Sequence, residues 1–495
     1  MRQLRPAIGA LVVTAGLLAP AQASAAISSV LGGKTVSGNP IPCTAQSDGV
    51  RVCHGSDGGG GPSDLRLATF DGAGALEVYV ILPPAPSSGP DGPYPEIVQG
   101  HGWGGSAGGP NDTQFYGPTA DSWAKNGYAV LQITARGFGD SCGKSTPPSA
   151  LAPCMNGYIR LDDDRYEIRD VQYASGLLVD EGAIDPGRIG VTGESYGGGL
   201  SLQLATLKDR VMDSSGTLHP WTSPGGTPMH IAAAAPVIPW SDLVHSLTPN
   251  GRTLDYQITG PTDDLNPFGV PKESFISGLY ALGAATGTYA APGQDPQADL
   301  TSWNGAVQQG DPPNQQDIFI TQQIAQFHSA YYLLDGAYGT PTEAPPPLLI
   351  ANGFTDDLFP VDEAVRYYNY ERGHYPSDPI GLIDGDFGHM RAQNKSGDKS
   401  LLSSRIQSFF DHYVKGSGSP PQLGATALEE PGCSCTGRRS SSPLTEIEKD
   451  SLLARPYGES CPSSSSLGMC PAAKCHAPGC SWKTWRPSVL FGSRR

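Results

Sequence analysis

Apolar residues between positions 65 and 415 follow two alternating patterns, short continuous runs and helical stripes. Short runs bounded by glycine or proline predict buried strands, whereas apolar residues spaced three and four apart predict amphipathic helices. Their alternation predicts a mostly parallel, twisted sheet with helices on both faces. The predicted strands cover residues 95–102, 128–134, 188–192, 231–237, 348–353 and 380–383, and an antiparallel hairpin joins residues 65–70 to residues 76–82.

Three other segments depart from this alternation. Residues 26–64 are rich in glycine and serine, which predicts an irregular N-terminal segment. Residues 243–345 combine long Gly/Pro stretches with two helical stripes, one near 273–282 and one from Ile320 to Tyr331. We expect them to form a cap inserted between two parts of a core, residues 65–242 and 346–417. Residues 418–495 form a tail rich in cysteine and serine.

The stretch around Ser195 predicts a nucleophile. A buried strand ends at Thr192 and runs into Gly193-Glu194-Ser195-Tyr196-Gly197, after which Leu200, Leu204 and Leu207 form a helical stripe. A serine at the apex of such a strand–turn–helix unit is the nucleophile elbow of α/β-hydrolases. Glycines two residues away on each side avoid collisions with the neighbouring strand and helix. The sequence therefore predicts the α/β-hydrolase fold.

The same Gly-x-Ser-x-Gly pattern occurs a second time, around Ser106. A chain with 64 glycines should contain it by chance on the order of once. Gly109-Pro110 follows Ser106, and no leucine stripe lies behind it. This context favours Ser195 as the nucleophile and indicates that Ser106 is a loop residue.

His101-Gly102-Trp103-Gly104 follows a predicted strand and predicts part of an oxyanion hole. A strand ending in His-Gly-x-Gly supplies a backbone N–H in esterases, where negative charge develops on the substrate carbonyl oxygen. The candidate donors are the N–H of Trp103 or Gly104 and that of Tyr196, the residue after the nucleophile. An ordinary glycine-rich turn is the alternative.

A serine nucleophile needs a base, and the base needs an orienting acid. Asp356 follows the predicted strand 348–353, and His389 follows the next one. The resulting order, serine, aspartate and histidine, is the order that the fold requires. Asp357 and Asp362 are the alternative acids.

The first 25 residues have the layout of a signal peptide. Arg2 and Arg5 precede an apolar run, and Ala23-Ser24-Ala25 forms a small-residue cleavage site. Because a membrane span needs about 20 apolar residues, this run is too short, and no other stretch reaches that length. We therefore expect a secreted protein without a membrane span.

Export permits disulfides among the ten cysteines. The expected pairs are Cys43 with Cys53, across an Asp-Gly turn, and Cys142 with Cys154, across a Pro-rich loop. The other cysteines lie in the tail, where Cys470, Cys475, His476 and Cys480 have spacings that miss the usual zinc pattern. A disulfide knot, a wall-binding module and a disordered or out-of-frame end stay open for this tail.

The formal net charge of −16 argues against a nucleic acid or an anionic membrane as the partner. We expect a small-molecule or peptide substrate, with no metal ion and no other cofactor.

At the elbow the chain resembles the Xaa-Pro dipeptidyl-peptidase and cocaine-esterase (CocE/NonD) hydrolases, with prolyl oligopeptidases as more distant relatives. Phe354-Thr355-Asp356-Asp357 and Phe387-Gly388-His389 are similar to the acid and base segments of that family, and Ala135-Arg136-Gly137 to its arginine–glycine turn. The resemblance covers roughly residues 65–415 and implies a serine triad without a metal. Two features depart from it. Many members supply a tyrosine to the oxyanion hole, whereas His101-Gly102-Trp103-Gly104 in this chain looks more like the loop of lipases. Members also often carry a C-terminal β-sandwich, which we do not expect after residue 415.

These observations predict a secreted serine hydrolase that forms an acyl-enzyme on Ser195 and favours carboxylic esters. An Xaa-Pro dipeptidyl-peptidase is the alternative, and it must hold the α-ammonium group of its substrate with a cap carboxylate. The acids available in the cap are Asp255, Asp263, Asp264, Glu273 and Asp317. A non-catalytic binding protein on a hydrolase scaffold would require a broken triad, and this triad is whole.

Overall fold

A computed structural model of the chain describes residues 26–112, 116–249, 269–309, 315–389 and 394–428. The predicted signal peptide, the cap acids Asp255, Asp263 and Asp264, and the tail from residue 429 lie outside the described residues.

Eleven strands of the described residues form one sheet, in the order β1-β2-β3-β6-β8-β7-β9-β12-β13-β14-β15. The strands are β1 (Ser29–Val30), β2 (Ile41–Ala45), β3 (Arg51–Gly55), β4 (Leu67–Ala68), β5 (Ala75–Leu76), β6 (Val78–Leu82), β7 (Tyr94–Gly100), β8 (Ala129–Ile133), β9 (Ile184–Glu194), β10 (Arg210–Met212), β11 (Leu218–Pro220), β12 (Ile231–Val237), β13 (Leu348–Gly353), β14 (Ile380–Gly385) and β15 (Gly424–Ala427). Strands β4 and β5, and strands β10 and β11, form separate antiparallel pairs.

Helices cover both faces of this sheet. They are α1 (Ala120–Lys125), α2 (Glu167–Asp180), α3 (Tyr196–Leu207), α4 (Leu243–Leu247), α5 (Glu273–Thr286), α6 (Leu300–Val307), α7 (Gln315–Phe327), α8 (Ala330–Asp335), α9 (Val361–His374) and α10 (Ser396–Tyr413). Apolar residues of α2, α3 and α9 belong to the core on one face, and those of α1 and α10 to the core on the other.

Seven neighbouring strands of this sheet are parallel, in the order β8-β7-β9-β12-β13-β14-β15, and the central ones are buried on both faces. Val98 of β7 lies opposite Val191 of β9, and Ala234 of β12 lies opposite Leu348 of β13. Continuous apolar runs suit such strands because neither face meets water. The predicted mostly parallel sheet with helices on both faces is confirmed.

The N-terminal segment 26–64 was expected to be irregular, and this expectation is wrong. It contributes β1, β2 and β3, which extend the sheet by antiparallel pairing. Cys43 and Cys53 lie opposite each other in β2 and β3 and are joined by a disulfide. The sequence does not indicate these strands, because alternate residues of β3 are only half buried and few of its positions are apolar.

The expected hairpin between residues 65–70 and 76–82 is only partly present. Leu67 lies opposite Leu76 in the short β4–β5 pair, but β6 pairs with β3 and β8 instead. Four of the five residues of β6 are buried, so this strand is stable inside the large sheet and not as the arm of a surface hairpin.

The core extends past residue 417, the end expected from the sequence. Strand β15 pairs in parallel with β14, and Leu428 beyond it is buried. The compact unit that contains the sheet ends at Leu428. Half-buried small residues make β15 a weak sequence signal.

Helices α4 to α8 lie between β12 and β13, where the sequence predicts the cap. The stripe from Ile320 to Tyr331 forms two helices instead of one, because α7 ends at Phe327 and α8 begins at Ala330. At the break, Nδ1 of the buried His328 bonds the carbonyl oxygen of Leu161 in the core, 2.7 Å away. Among the described residues, none of the helices combines the length and apolarity that a membrane crossing needs.

Candidate active site

Ser195 occupies a sharp turn between β9 and α3. Its backbone angles, φ 57° and ψ −112°, lie in a region that side-chain-bearing residues rarely adopt. A Cβ atom at Gly193 would lie 2.6 Å from the carbonyl oxygen of Gly197, and one at Gly197 would lie 2.3 Å from that of Gly100. Only glycine fits at these two positions, so the Gly-x-Ser-x-Gly sequence is a packing requirement of the elbow.

The structure brings Ser195, His389 and Asp356 together in one chain of hydrogen bonds. Nε2 of His389 lies 2.7 Å from Oγ of Ser195, and Nδ1 lies 2.7 Å from Oδ2 of Asp356. Each of the three residues follows the C-terminal end of a parallel strand, which explains how residues distant in sequence meet at one edge of the sheet. A serine in contact with an imidazole that a carboxylate orients is the arrangement of serine hydrolases.

Backbone N–H groups fix the carboxylate of Asp356. Its Oδ1 accepts from the N–H of Leu358 at 3.0 Å and from that of Phe359 at 3.1 Å, while Oδ2 faces His389. The side chain of Asp356 is buried, whereas the alternative acids Asp357 and Asp362 are exposed. The geometry thus favours the first aspartate after the strand.

The second Gly-x-Ser-x-Gly sequence lies elsewhere. Ser106 is exposed in the loop after β7, and a single short 3₁₀ turn from Gly109 to Asn111 follows it. It lacks the strand and helix that flank Ser195. The second predicted disulfide is present in a neighbouring loop, where Cys142 is joined to Cys154.

His101 stabilises the loop predicted to supply oxyanion donors. Its Nε2 accepts the N–H of Ala135 at 2.9 Å, so the proton of a neutral ring lies on Nδ1, which bonds the carbonyl oxygen of Gly102 at 2.8 Å. Burial lowers the pKa of His101, which keeps the ring neutral. Trp103 and Gly104 follow in the same loop. The N–H of Tyr196 is at the first position of α3, where a helix offers no acceptor of its own.

The hydroxyl of Tyr196 enters a buried acidic cluster formed by Glu167 and Asp162. It donates to Oε2 of Glu167 and accepts the N–H of Asp162, each at 2.8 Å. Burial raises the pKa of Glu167 to about 7, and burial followed by the charge of Glu167 raises that of Asp162 well above its usual range. The acidic run 162–164 is visible in the sequence, but nothing there indicates that it contacts the residue after Ser195.

An apolar cavity opens directly onto Ser195. It has a volume of about 140 Å³, similar to a protein cavity of about 150 Å³ that holds a benzene molecule. No Asp, Glu, Lys, Arg or His is among the described residues that line it. Residues of helices α4 to α7 contribute to it together with residues that follow β12 and β13, among them Trp240, Leu243, Leu279, Trp303, Ile324 and Phe359.

Two of the predicted cap acids lie within the described residues, and neither lines this cavity. Glu273 is exposed in the first turn of α5, where its carboxylate accepts the hydroxyl of Ser277. Asp317 is buried in the first turn of α7. Within the described ranges, no group of three or more His, Cys, Asp or Glu side chains is placed to hold a metal ion.

Together, the sheet and the serine-centred site define a serine hydrolase of the α/β-hydrolase fold, a class that acts on ester or amide bonds. The chain belongs to the X-Pro dipeptidyl-peptidase family (S15), whose family model matches residues 71–389.

Solved structures with a similar fold include esterases and peptidases. An acetyl xylan esterase from Paenibacillus sp. R4 is 17% identical, with a TM-score of 0.42, and the match covers 75% of this chain and 88% of that one. A CocE/NonD family hydrolase from Staphylococcus aureus is 15% identical over 84% of this chain and 58% of that one, with a TM-score of 0.44. An acylaminoacyl peptidase from Pyrococcus horikoshii is 14% identical over 70% of this chain and 41% of that one, with a TM-score of 0.42.

Proposed function

We propose that this protein hydrolyses carboxylic esters through an acyl-enzyme on Ser195, with His389 as the general base and Asp356 as its orienting acid. The observation that carries the proposal is the unbroken chain of 2.7 Å contacts from Oδ2 of Asp356 through His389 to Oγ of Ser195. Family membership supports the same class of reaction.

In the first half of the reaction, Oγ of Ser195 attacks the carbonyl carbon of the ester while Nε2 of His389 accepts the serine proton. Asp356 accepts a hydrogen bond from Nδ1–H and stabilises the imidazolium that forms. Negative charge develops on the carbonyl oxygen of the ester during this attack, and the N–H groups of Tyr196 and of Trp103 or Gly104 are the proposed donors to it.

The attack forms a tetrahedral intermediate. Its collapse breaks the bond between the carbonyl carbon and the alcohol oxygen, and the alcohol leaves with the proton from Nε2 of His389. The acyl group then remains on Oγ of Ser195. A water molecule gives a proton to Nε2 and attacks the acyl carbon, which forms a second tetrahedral intermediate. The bond between the acyl carbon and Oγ then breaks, Oγ takes the proton from Nε2, and the carboxylic acid leaves.

The composition of the cavity favours an uncharged acyl group over a peptide N-terminus. An α-ammonium group removed from water needs a carboxylate partner, and the described lining residues include none. An apolar acyl group gains free energy from burial in the same space. We therefore propose that the substrates are esters whose acyl group is apolar and small enough to fit the cavity.

Amino-terminal Xaa-Pro cleavage is the second candidate, because the matching family model describes X-Pro dipeptidyl-peptidases. A direct comparison of a short-chain nitrophenyl ester with an alanyl-prolyl anilide decides between the two. We expect the ester to have the higher kcat/KM. A higher kcat/KM for the anilide, lost when its amino group is blocked, would establish the peptidase instead.

A fluorophosphonate probe tests the nucleophile without a known substrate. We expect the probe to label the peptide that contains Ser195, and Ser195→Ala to remove both labelling and hydrolysis without unfolding the protein. Ser106→Ala is the matched control, since it alters the other copy of the same motif, and it should retain both. Labelling at Ser106 would contradict the assignment.

We also propose that the enzyme acts outside the cell. The signal-peptide layout of residues 1–25 supports export. The two disulfides, Cys43–Cys53 and Cys142–Cys154, are consistent with an oxidising compartment. Expression with and without residues 1–25, followed by assay of the culture medium, tests this proposal.

A further inference from the structure

The side chain of Trp103 joins the predicted oxyanion loop to the cap. Its Nε1–H donates to the carbonyl oxygen of Leu279, in the middle of α5, at 2.8 Å. On its other side the ring packs edge-to-face against Phe138 and Tyr196, with centroid distances of 4.9 and 5.2 Å. A residue whose backbone is a proposed oxyanion donor is therefore held by its side chain between the elbow and a cap helix.

Helix α5 carries a glycine, Gly283, at the point where Trp103 contacts it. A Cβ atom at Gly283 would lie 2.8 Å from Cζ2 of Trp103 and 2.1 Å from the hydroxyl of Tyr289. That hydroxyl donates to the carbonyl oxygen of Tyr280 at 2.9 Å. Two aromatic donors thus reach carbonyl groups of consecutive residues in α5, and both approach across the bare backbone at Gly283.

The loop fits the helix at a second point. Gly104 has a φ angle of 77°, and a Cβ atom there would lie 2.8 Å from Cγ of Leu282. Both the backbone conformation and the close approach to α5 therefore require glycine at this position. Neighbouring residues of the loop, Trp103 and Gly104, contact neighbouring turns of one helix.

The core holds α5 independently at its two ends. Before the helix, Nζ of Lys272 donates to the carbonyl oxygens of Asp357 and Leu358, at 2.8 and 2.9 Å. After it, the N–H of Thr288 donates to the carbonyl oxygen of Gly137 at 2.8 Å. Since these contacts do not involve Trp103, the helix provides a fixed reference against which the loop is placed.

We propose that α5 acts as the positioning element of the oxyanion loop, with the indole of Trp103 as the positioning group and Gly283 as the residue that permits the contact. The inference rests on the proposed function, because it assumes that the loop N–H groups stabilise the transition state. The cap then has two roles, since α5 also lines the cavity over Ser195 through Ile276 and Leu279.

Two glycine substitutions in the same helix test the inference. Gly283→Ala inserts a methyl group against Trp103 and the hydroxyl of Tyr289, whereas Gly278→Ala adds one with no atom within 4 Å outside its chain neighbours and the helix backbone. Both variants replace glycine by alanine inside the same helix, so the gain in intrinsic helix propensity is the same for both. For a nitrophenyl ester, we expect Gly283→Ala to lower kcat by roughly ten- to a hundredfold with little change in KM, because the donors no longer fit the transition state. Gly278→Ala should retain the wild-type kcat.

Trp103→Phe provides a second, independent variant. It keeps an aromatic ring against Tyr196 and Phe138 but removes the donor to Leu279. We again expect a lower kcat with a nearly constant KM, measured per active site after titration with a fluorophosphonate. Titration removes any contribution from protein that fails to fold.

Either variant that reaches full titration and keeps the wild-type kcat would overturn the inference. A raised KM with an unchanged kcat would also overturn it, because that result assigns Trp103 and Gly283 only to the cavity wall. Failure of the proposed function has a different signature, namely turnover that survives Ser195→Ala in otherwise wild-type protein.

Discussion

Oδ2 of Asp356 accepts two hydrogen bonds from one residue, His389. The ring Nδ1 lies 2.7 Å from this oxygen, and the backbone N–H of the same histidine lies 3.1 Å from it. One carboxylate oxygen therefore fixes both the direction of the imidazole and the end of the loop that carries it.

Asp356→Asn tests this double contact. An asparagine keeps the shape of the side chain but loses the charge, so it favours the wrong tautomer of His389 and stabilises the imidazolium poorly. We expect kcat to fall by about 10³–10⁴-fold in steady-state assays. Asp357→Asn, a change of the same kind at the next and exposed position, should remain close to wild type. If the two variants exchanged these effects, the acid would be misassigned.

Arg136 is a second buried charge, and its role is structural. It is fully buried and forms hydrogen-bonded ion pairs with Asp170 and Asp71. We expect Arg136→Met to lower the free energy of unfolding by roughly 3–5 kcal/mol, because it leaves Asp170 buried without its hydrogen-bonded cation. Urea unfolding measures this loss. Adding Asp170→Asn to that variant should recover part of it, and no recovery in the double variant would mean that the ion pair is not the cause.

Glu96 in β7 predicts a pH-dependent stability. Burial raises the pKa of Glu96 from 4.5 to about 8. Between those pH values the folded state holds a proton that the unfolded state has released, so this group's contribution to stability falls as the pH rises. We expect Glu96→Gln to remove that slope and to gain roughly 2–4 kcal/mol relative to wild type between pH 5 and pH 9.

Calorimetric Tm values across this range measure the slope for both proteins. Other titrating groups cancel in the comparison, since the two chains share them. Parallel curves for the wild type and Glu96→Gln would show that Glu96 is ionised at both ends of the range.

The position of β15 predicts how far the tail can be shortened. A chain that ends at Leu428 keeps the last strand and the buried Leu428, and we expect it to be soluble and active. A chain that ends at Gly418 loses both, and burial of one leucine alone contributes about 1.5–3 kcal/mol. We expect a lower Tm for the shorter chain in a thermal melt. Equal Tm values would mean that β15 contributes nothing to the stability of the core.

The central fold was predictable because its signals are local. Strand β12 and strand β13 have the bounds that their apolar runs indicate, residues 231–237 and 348–353. The order of Ser195, Asp356 and His389 along the chain could be matched to the ends of three predicted strands, and the structure brings the three residues together. Local pattern and topology together were enough for these residues.

What could not be predicted depends on contacts between distant segments. Strand β3 is stable because it pairs with β2 and β6, and its sequence, Arg-Val-Cys-His-Gly, gives little sign of this. The hydroxyl of Tyr196 meets Glu167 only because α2 and α3 pack on one face of the sheet. Such contacts leave no periodic signal in either segment.

Gly283 also limits which caps could be transferred between enzymes of this architecture. A cap transferred from a relative would bring its own helix over Trp103, and a side chain at that one position would displace the loop below. The fit between α5 and the loop is therefore kept only when both segments are transferred together, although 176 positions separate Trp103 from Leu279 in the chain. Recombination or grafting that moves one without the other would change the rate of the reaction while leaving the three residues of the triad in place.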